Sequence, residues 1–461
     1  MNQNENALPS RRDLLKTAGG VAAAGALAGV AIPAVHAQGS EEVQVALVGC
    51  GGRGSGAAMN ALATSKQGPV KLTAMADAYQ DRLNASYAGL SQAAEKQVDV
   101  PQDRRFIGFD AYKEAMDSLK PGDVVILTTP PAFRWVHFQY AISKGLNVFM
   151  EKPVTVDGPT SKRMIQLAEQ ASAKKLKCGV GLMSRHARPL QELHQRVQNG
   201  ELGDIILMRG YRMHAPAGFF ESTPKPANMS DLDYQIRRFH SFLWASGGNY
   251  SDFYIHIIDH LAWMKNSWPV RAKGLGGRHF KATKDGVPFV DQNFDTYSVE
   301  YTFGDGTKFY FDGRCVHGAQ GIYSSYLHGS KGIAIASRAN DCGAPSAIYK
   351  GHNINPANLV WESKDNSNPY QNEWDALMSA IRNDKPYNEV KRGVEASVAT
   401  SMGRMAAHTG QEVTFDEMLN HEHEFAPGLD KLTRNSPAPL PSDANGHYPK
   451  PQPGVTVKRE Y

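Results

Sequence analysis

The chain has 461 residues, 41% of them hydrophobic and 21% charged, fractions that fit a globular protein and not a disordered or fibrous one. At about 150 residues per domain, with α/β domains running longer, two principal domains are expected. The net charge of only +4, on 50 basic and 46 acidic residues with no long basic run, argues against nucleic acid as a partner. In chain order, the first element is not part of the fold. Ser10-Arg11-Arg12-Asp13-Leu14-Leu15-Lys16 is followed by an Ala/Gly/Val-rich run from Thr17 to Val35, then by the small-residue pattern Val35-His36-Ala37. That order reads as a signal peptide over residues 1–37, and the paired arginines point to the twin-arginine export machinery and a periplasmic or secreted destination. The run is weakly apolar, which disfavours an uncleaved anchor, and no other stretch has the length and apolarity to span a bilayer.

From Val43 the pattern alternates strand and helix. Short apolar runs at Val43–Val48, Val70–Ala76, Asp123–Thr128 and Leu146–Met150 are separated by helical patterns over Ser55–Ala63, Ala132–Lys144 and Ser161–Ala173. Such alternation predicts a doubly wound parallel sheet covered on both faces. After about residue 186 the rhythm changes. Ile205–Tyr211, Thr296–Phe303 and Lys308–Arg314 read as strands with polar alternation, the last two joined by Gly304-Asp305-Gly306, a hairpin signature. Helical patterns return at Asn372–Arg382 and Val394–Ala407. The expected class is therefore α/β, with an N-terminal Rossmann sheet and a C-terminal α/β domain built on a largely antiparallel open sheet. The expected partition is 38–185 for nucleotide binding, 186–425 for substrate and oligomerisation, and 426–461 as a Pro-rich extended tail lying over the surface. Four cysteines, Cys50, Cys178, Cys315 and Cys342, lack the spacing of a zinc site. The histidines of His421-Glu422-His423-Glu424 lack a third ligand, so no metal is assigned.

Gly49-Cys50-Gly51-Gly52-Arg53-Gly54 satisfies G-x-G-x-x-G between a strand and a helix. Glycine is needed there for a tight turn, for backbone approach to a pyrophosphate and for helix–strand packing, with the phosphates on the helix N-terminus. Asp77 closes the next strand, where a carboxylate accepts from a ribose 2′-hydroxyl and repels a 2′-phosphate. NAD is the expected cofactor; Arg53 and Arg82 lie close enough in sequence to reach adenine or phosphate, so NADP is not excluded.

Thr128-Thr129-Pro130, His137 and Glu151-Lys152-Pro153 follow, then Gly247-Gly248 with Asp252, His256 and Asp259. With the glycine loop, these motifs resemble the glucose–fructose oxidoreductase and inositol dehydrogenase family (Gfo/Idh/MocA), from about Val43 to Leu419. The resemblance implies a Rossmann domain whose Thr129, Pro130, His137, Glu151 and Lys152 approach the cofactor, and a second domain whose sheet covers the nicotinamide end and pairs subunits into a homo-oligomer. The family pattern is G-G-G-x-x-x-D-x-G-x-H. Tyr254 stands where a glycine is usual, which implies an altered site shape. Met402-Gly403-Arg404-Met405-Ala406-Ala407 resembles a subgroup common among exported members.

The residues also make chemical sense by themselves. Oxidising an alcohol needs a base within hydrogen-bond reach of the hydroxyl. Lys152 follows a buried strand at the rim where open α/β sheets bind ligands, and a lysine near a cationic nicotinamide has its charged form disfavoured. Asp252 and His256 lie four apart on a helical pattern and share a face, so the carboxylate can orient the imidazole. Lys152, Asp252 and His256 are the expected catalytic residues. Arg185, Arg237 and Asp259 are expected against substrate, with His186, Arg188, Arg238 and His240 as further candidates. The twin-arginine route carries folded proteins, so nicotinamide can be captured before export and must then stay tightly bound. A carbohydrate oxidoreductase is the leading expectation, and a redox-neutral NAD-dependent glycoside hydrolase on the same scaffold the alternative.

Overall fold

The computed structural model describes residues 42–340, 342–343 and 345–461. The signal-peptide reading of residues 1–37 lies outside them. Six strands, β1 (Val43–Val48), β2 (Val70–Asp77), β3 (Arg105–Ile107), β4 (Val124–Leu127), β5 (Asn147–Met150) and β6 (Cys178–Val180), form one sheet in the order β3-β2-β1-β4-β5-β6. Every pairing in it is parallel. The cause is visible in β4 and β5, which are buried at every position. A strand apolar on both faces needs helices on both, and parallel crossovers supply them. The strand order reverses between β1 and β4, and this opens a crevice at their carboxyl ends. Helices Gly52–Ala63 and Arg134–Lys144 start there.

Nine further strands are β7 (Ile205–His214), β8 (Arg271–Gly277), β9 (Thr296–Thr302), β10 (Lys308–Cys315), β11 (Ile322–Gly329), β12 (Gly332–Ser337), β13 (Ala347–Lys350), β14 (Leu359–Glu362) and β15 (Val413–Thr414). Their order is β14-β13-β12-β11-β7-β10-β9-β8-β15, antiparallel except for β7 beside β10. This is the α/β architecture expected. The outer face exposes Leu275 and Tyr310, while helices Gly248–Met264 and Val390–Thr409 pack on the inner face.

Two packing features depart from a division by sequence. Helix Pro369–Arg382 follows the second sheet in the chain, yet Trp374, Leu377, Met378 and Ile381 join the core of the first sheet, with Trp374 against Phe149 at a centroid distance of 4.5 Å. The Pro-rich segment has no regular helix or strand after Lys431, but it is no surface tail. Leu440, Tyr448 and Glu460 are buried. Glu460 accepts from Arg404 Nε and Nη2 at 2.8 and 2.9 Å and pairs with His408 Nδ1 at 2.8 Å. Burial drives the Glu460 carboxyl up, but Arg404 and His408 outweigh it and hold it at about 2. Proline removes the donors that a helix or strand needs, so the segment is irregular; its one buried acid, Glu460, then finds a buried arginine.

Candidate functional site

A cavity of about 400 Å³ occupies the crevice between β1 and β4. Gly49, Gly51, Gly52, Arg53, Gly54, Asp77, Thr129, Pro130 and His137 all line it. The glycines divide the labour expected of them. Gly49 has φ +100°, and a Cβ on Gly54 would sit 2.1 Å from the Gly49 carbonyl oxygen. These two residues let the chain turn and the helix close on the strand. A Cβ on Gly51 or Gly52 would meet nothing within 4 Å, because both face open cavity. Helix Gly52–Ala63 has no acidic residue in its first turn and no side-chain cap, which leaves its N–H groups and dipole for an anion. A dinucleotide therefore fits: Gly51 and Gly52 would hold its pyrophosphate and Asp77 its ribose. Asp77 accepts the backbone N–H groups of Cys50 at 2.7 Å and Tyr79 at 2.9 Å. Burial nevertheless raises its pKa, against these bonds. Arg82 places a cation on the same wall.

Around the strand ends, Arg134 is fully buried and donates to the carbonyls of Leu127 at 2.6 Å and Thr129 at 3.0 Å. Burial lowers it to about 10. His137 meets Thr129 Oγ1 at 3.1 Å; burial, then Arg134, pushes it down to about 3, so the ring is neutral. Glu151 accepts from Arg53 Nε at 2.7 Å, and a Cβ on Gly181 would meet its carboxylate at 2.6 Å. The acid thus anchors the arginine of the glycine loop.

A second cavity, of about 260 Å³, adjoins the first and is lined by Glu151, Lys152, Asp252 and His256. Arg53, Thr128, Thr129, Phe239 and His240 line both. The Lys152 ammonium donates to the Asp252 carbonyl at 2.6 Å and lies 3.7 Å from its carboxylate. It is 16% exposed, so it does not point into bulk water. His240 Nε2 lies 3.3 Å from the other Asp252 oxygen. Burial drives Asp252 up, but the Lys152 charge, then the His240 hydrogen bond, keep it below the usual carboxylate range. The helix bearing Asp252 and His256 begins at Gly247 and Gly248, with φ of +75° and +70°. A Cβ on Gly247 would strike Arg404 Nη1 at 2.7 Å. Arg404 donates from there to the Gly247 carbonyl and to Ser251 Oγ, and also to the Val156 carbonyl just past Lys152.

Other expected site residues lie elsewhere. Arg185 and Asp259 form a buried bidentate pair, with Nε–Oδ2 at 2.9 Å and Nη2–Oδ1 at 2.7 Å, and line neither cavity. Asp259 is two helical turns beyond Asp252, about 10.5 Å along the axis, past the cavity floor. Arg237 is also outside both cavities. It points outward to Asp81, in bonds of 2.9 and 3.0 Å. Asn249 and Tyr254 do not shape the site either. They bond to each other at 2.9 Å, and Asn249 Nδ2 reaches Cys315 Sγ at 3.2 Å. A Cβ on Gly313 would strike the Tyr254 ring at 2.4 Å, so a glycine in β10 makes room for the one missing from the helix. Sequence reasoning passed over Tyr79, Phe219, Ile236 and Phe239, which close the larger cavity from above; only Tyr79, two residues from Asp77, carried a local signal.

Residues 43–182 match the family model described as an oxidoreductase family with an NAD-binding Rossmann fold, and residues 9–28 match the twin-arginine translocation signal sequence. The chain is 26% identical over 192 residues to inositol 2-dehydrogenase of Corynebacterium glutamicum, covering 39% of this chain and 53% of that one. It thus spans about half the length of the curated relatives it matches. Its fold is that of aldose-aldose oxidoreductase from Caulobacter crescentus, at TM-score 0.60 and 15% identity over 81% of this chain and all of that one. Scyllo-inositol dehydrogenase from Lactobacillus casei, solved with NAD(H) and scyllo-inositol, gives 0.59 and 18% over 82% and 100%. With its glycine loop, acidic strand end and parallel sheet, the segment from Val43 to Leu182 is a Rossmann domain that matches the Gfo/Idh/MocA oxidoreductase family model.

Proposed function

We propose that the chain is an exported oxidoreductase that uses NAD(H) on a CH–OH group of a carbohydrate or polyol. The observation that carries this reading is the convergence of Lys152, Asp252 and His256 in a cavity that shares a wall with the dinucleotide crevice. When bound, the nicotinamide supplies the acceptor for the electron pair and hydrogen leaving the substrate carbon. Lys152, in its neutral form, takes the hydroxyl proton as the carbonyl forms. Asp252 steadies the charged lysine, and His256 orients the hydroxyl from the helix. Glu151 holds Arg53 at the shared wall, and Thr129, Pro130 and His137 line the crevice that would hold the dinucleotide. Asp77 favours NAD over NADP. The inositol 2-dehydrogenase relatives and the sugar and inositol enzymes of the same fold support a carbohydrate substrate. All of those named are oxidoreductases, and none lends support to the glycoside-hydrolase alternative.

The twin-arginine motif supports a further point: the nucleotide is captured before export and stays bound through many turnovers, each restoring its redox state by oxidising one carbohydrate and reducing another. Residues 38–185 and 186–425 serve as the nucleotide and substrate domains in this scheme, with Pro369–Arg382 lent back to the first. The exposed Leu275 and Tyr310 face pairs two copies, which sedimentation would detect as a dimer or higher species. The decisive experiment is to purify the natively exported protein, release and identify any nucleotide, and follow reduced-nicotinamide absorbance with myo-inositol, scyllo-inositol and D-glucose. Protein that leaves the cell empty and binds NADH only weakly overturns retention. No absorbance change with any polyol or sugar overturns the reaction.

A further inference from the structure

We propose that His240 is a positioning residue of this site, fixing the Asp252 carboxylate through a segment that spans the dinucleotide cavity. The inference rests on the oxidoreductase reading above. His240 lines both cavities, and its side chain is only 15% exposed. Its two ring nitrogens have different duties. Nδ1 accepts the backbone N–H of Phe219 at 3.1 Å, so the ring proton is on Nε2, which lies 3.3 Å from Asp252 Oδ2. A nitrogen that already carries its proton cannot serve as the base. His240 therefore acts through Asp252: one carboxylate oxygen is held by the imidazole and the other is left facing Lys152.

The surroundings are built for this placement. Phe239 and Phe253 pack on the ring at centroid distances of 3.9 and 5.4 Å. Gly218 has φ +58°, and a Cβ there would meet His240 Nδ1 at 2.6 Å, so only glycine admits the ring. The segment Phe219–His240 also reaches the opposite end of the cavity. Tyr79 Oη donates to Asp233 at 3.0 Å, Arg237 pairs with Asp81, and the Arg237 guanidinium lies 3.9 Å over the Tyr79 ring. Those partners directly follow Asp77, the ribose carboxylate. One span therefore touches both ends of the dinucleotide crevice and ends on the group that orders Lys152.

Two substitutions separate positioning from folding. In His240→Asn the amide oxygen replaces Nδ1 and keeps the Phe219 bond, but nothing donates to Asp252. In His240→Gln the amide nitrogen replaces Nε2 and keeps that donor. On the polyol or sugar that the parent oxidises fastest, His240→Asn should lower kcat about 100-fold, the scale of a misplaced catalytic group. KM, retained NADH and Tm should stay near parental values, and His240→Gln should recover most of the rate. Parental kcat in His240→Asn overturns the proposal, as does an equal loss in both variants accompanied by a fall in Tm. A substrate-independent arm is the ¹⁵N histidine spectrum of the NADH-loaded parent. It should show a neutral, Nε2-protonated His240 whose signal moves in Asp252→Asn; an Nδ1-protonated or cationic ring overturns the proposal. If the parent turns over none of the substrates, the oxidoreductase reading falls, and the spectrum still decides the role of His240.

Discussion

The two cavities are adjacent, but they are made in different ways. The larger is floored by backbone: glycines at the end of β1, an acid at the end of β2 and a threonine pair after β4, all within one contiguous domain. The smaller is built from side chains brought together from far apart in the chain. Lys152 and Asp252 are separated by 100 residues, and the arginine that braces both their segments is itself held by Glu460. The grip on a dinucleotide is thus a local property, while the reactive geometry is a long-range one. Local features tolerate damage elsewhere; long-range ones fail when a distant brace is removed.

The sharpest break in this contrast is Lys152→Ala, expected to lower kcat by about 10³-fold or more, in the range of a lost general base, while bound nucleotide is retained. Loss of nucleotide along with activity would show that the two cavities are not separable. Next is the brace. Arg404→Ala leaves Glu460 buried without its guanidinium and should cost about 3–5 kcal/mol of stability, read by denaturant unfolding. The acid side has a definite sign. The folded-state pKa of Glu460 is depressed to about 2, so its contribution is complete above the unfolded value of about 4.3 and disappears as pH falls through about 2. Glu460→Gln should therefore be clearly less stable than the parent at neutral pH and converge on it below about pH 2.

A smaller effect is expected at the floor of the larger cavity. Gly51→Val should weaken NADH binding about tenfold or more, at least about 1.4 kcal/mol, by filling the pyrophosphate space, with Tm unchanged because the new Cβ meets no protein atom. Gly54→Ala should instead lower Tm, since its Cβ would collide with the Gly49 carbonyl. The mildest expected change is in Asp77→Ala. Losing one charged hydrogen bond to ribose should reduce the preference for NAD over NADP about tenfold, measured as a ratio of dissociation constants.

Legibility followed the same division. The glycine loop, Asp77, Thr129, Glu151 and Lys152 could be placed because each closes a short apolar strand, and strand ends in an open parallel sheet are where ligands bind. Asp252 and His256 came from the family resemblance, and helical spacing put them on one face. Arg185 and Asp259 misled because charge on a helix near a site does not show which turn faces the cavity; a buried ion pair satisfies them two turns away. Tyr254 misled for a related reason, since the space that accepts it is opened by Gly313 on a distant strand. His240 was only one of several basic residues in its stretch, and nothing local marked it above Arg237 and Arg238.

By itself, then, the sequence determined the α/β class, the dinucleotide crevice and the amine at its edge, because these depend on periodicity and on glycines acting over a few residues. Only the tertiary structure decided which carboxylate meets that amine, which imidazole steadies the carboxylate and where the proline-rich end is buried. Those outcomes rest on packing and charge pairing between segments remote in sequence, and side-chain desolvation, unlike backbone turn geometry, cannot be read from neighbours along the chain.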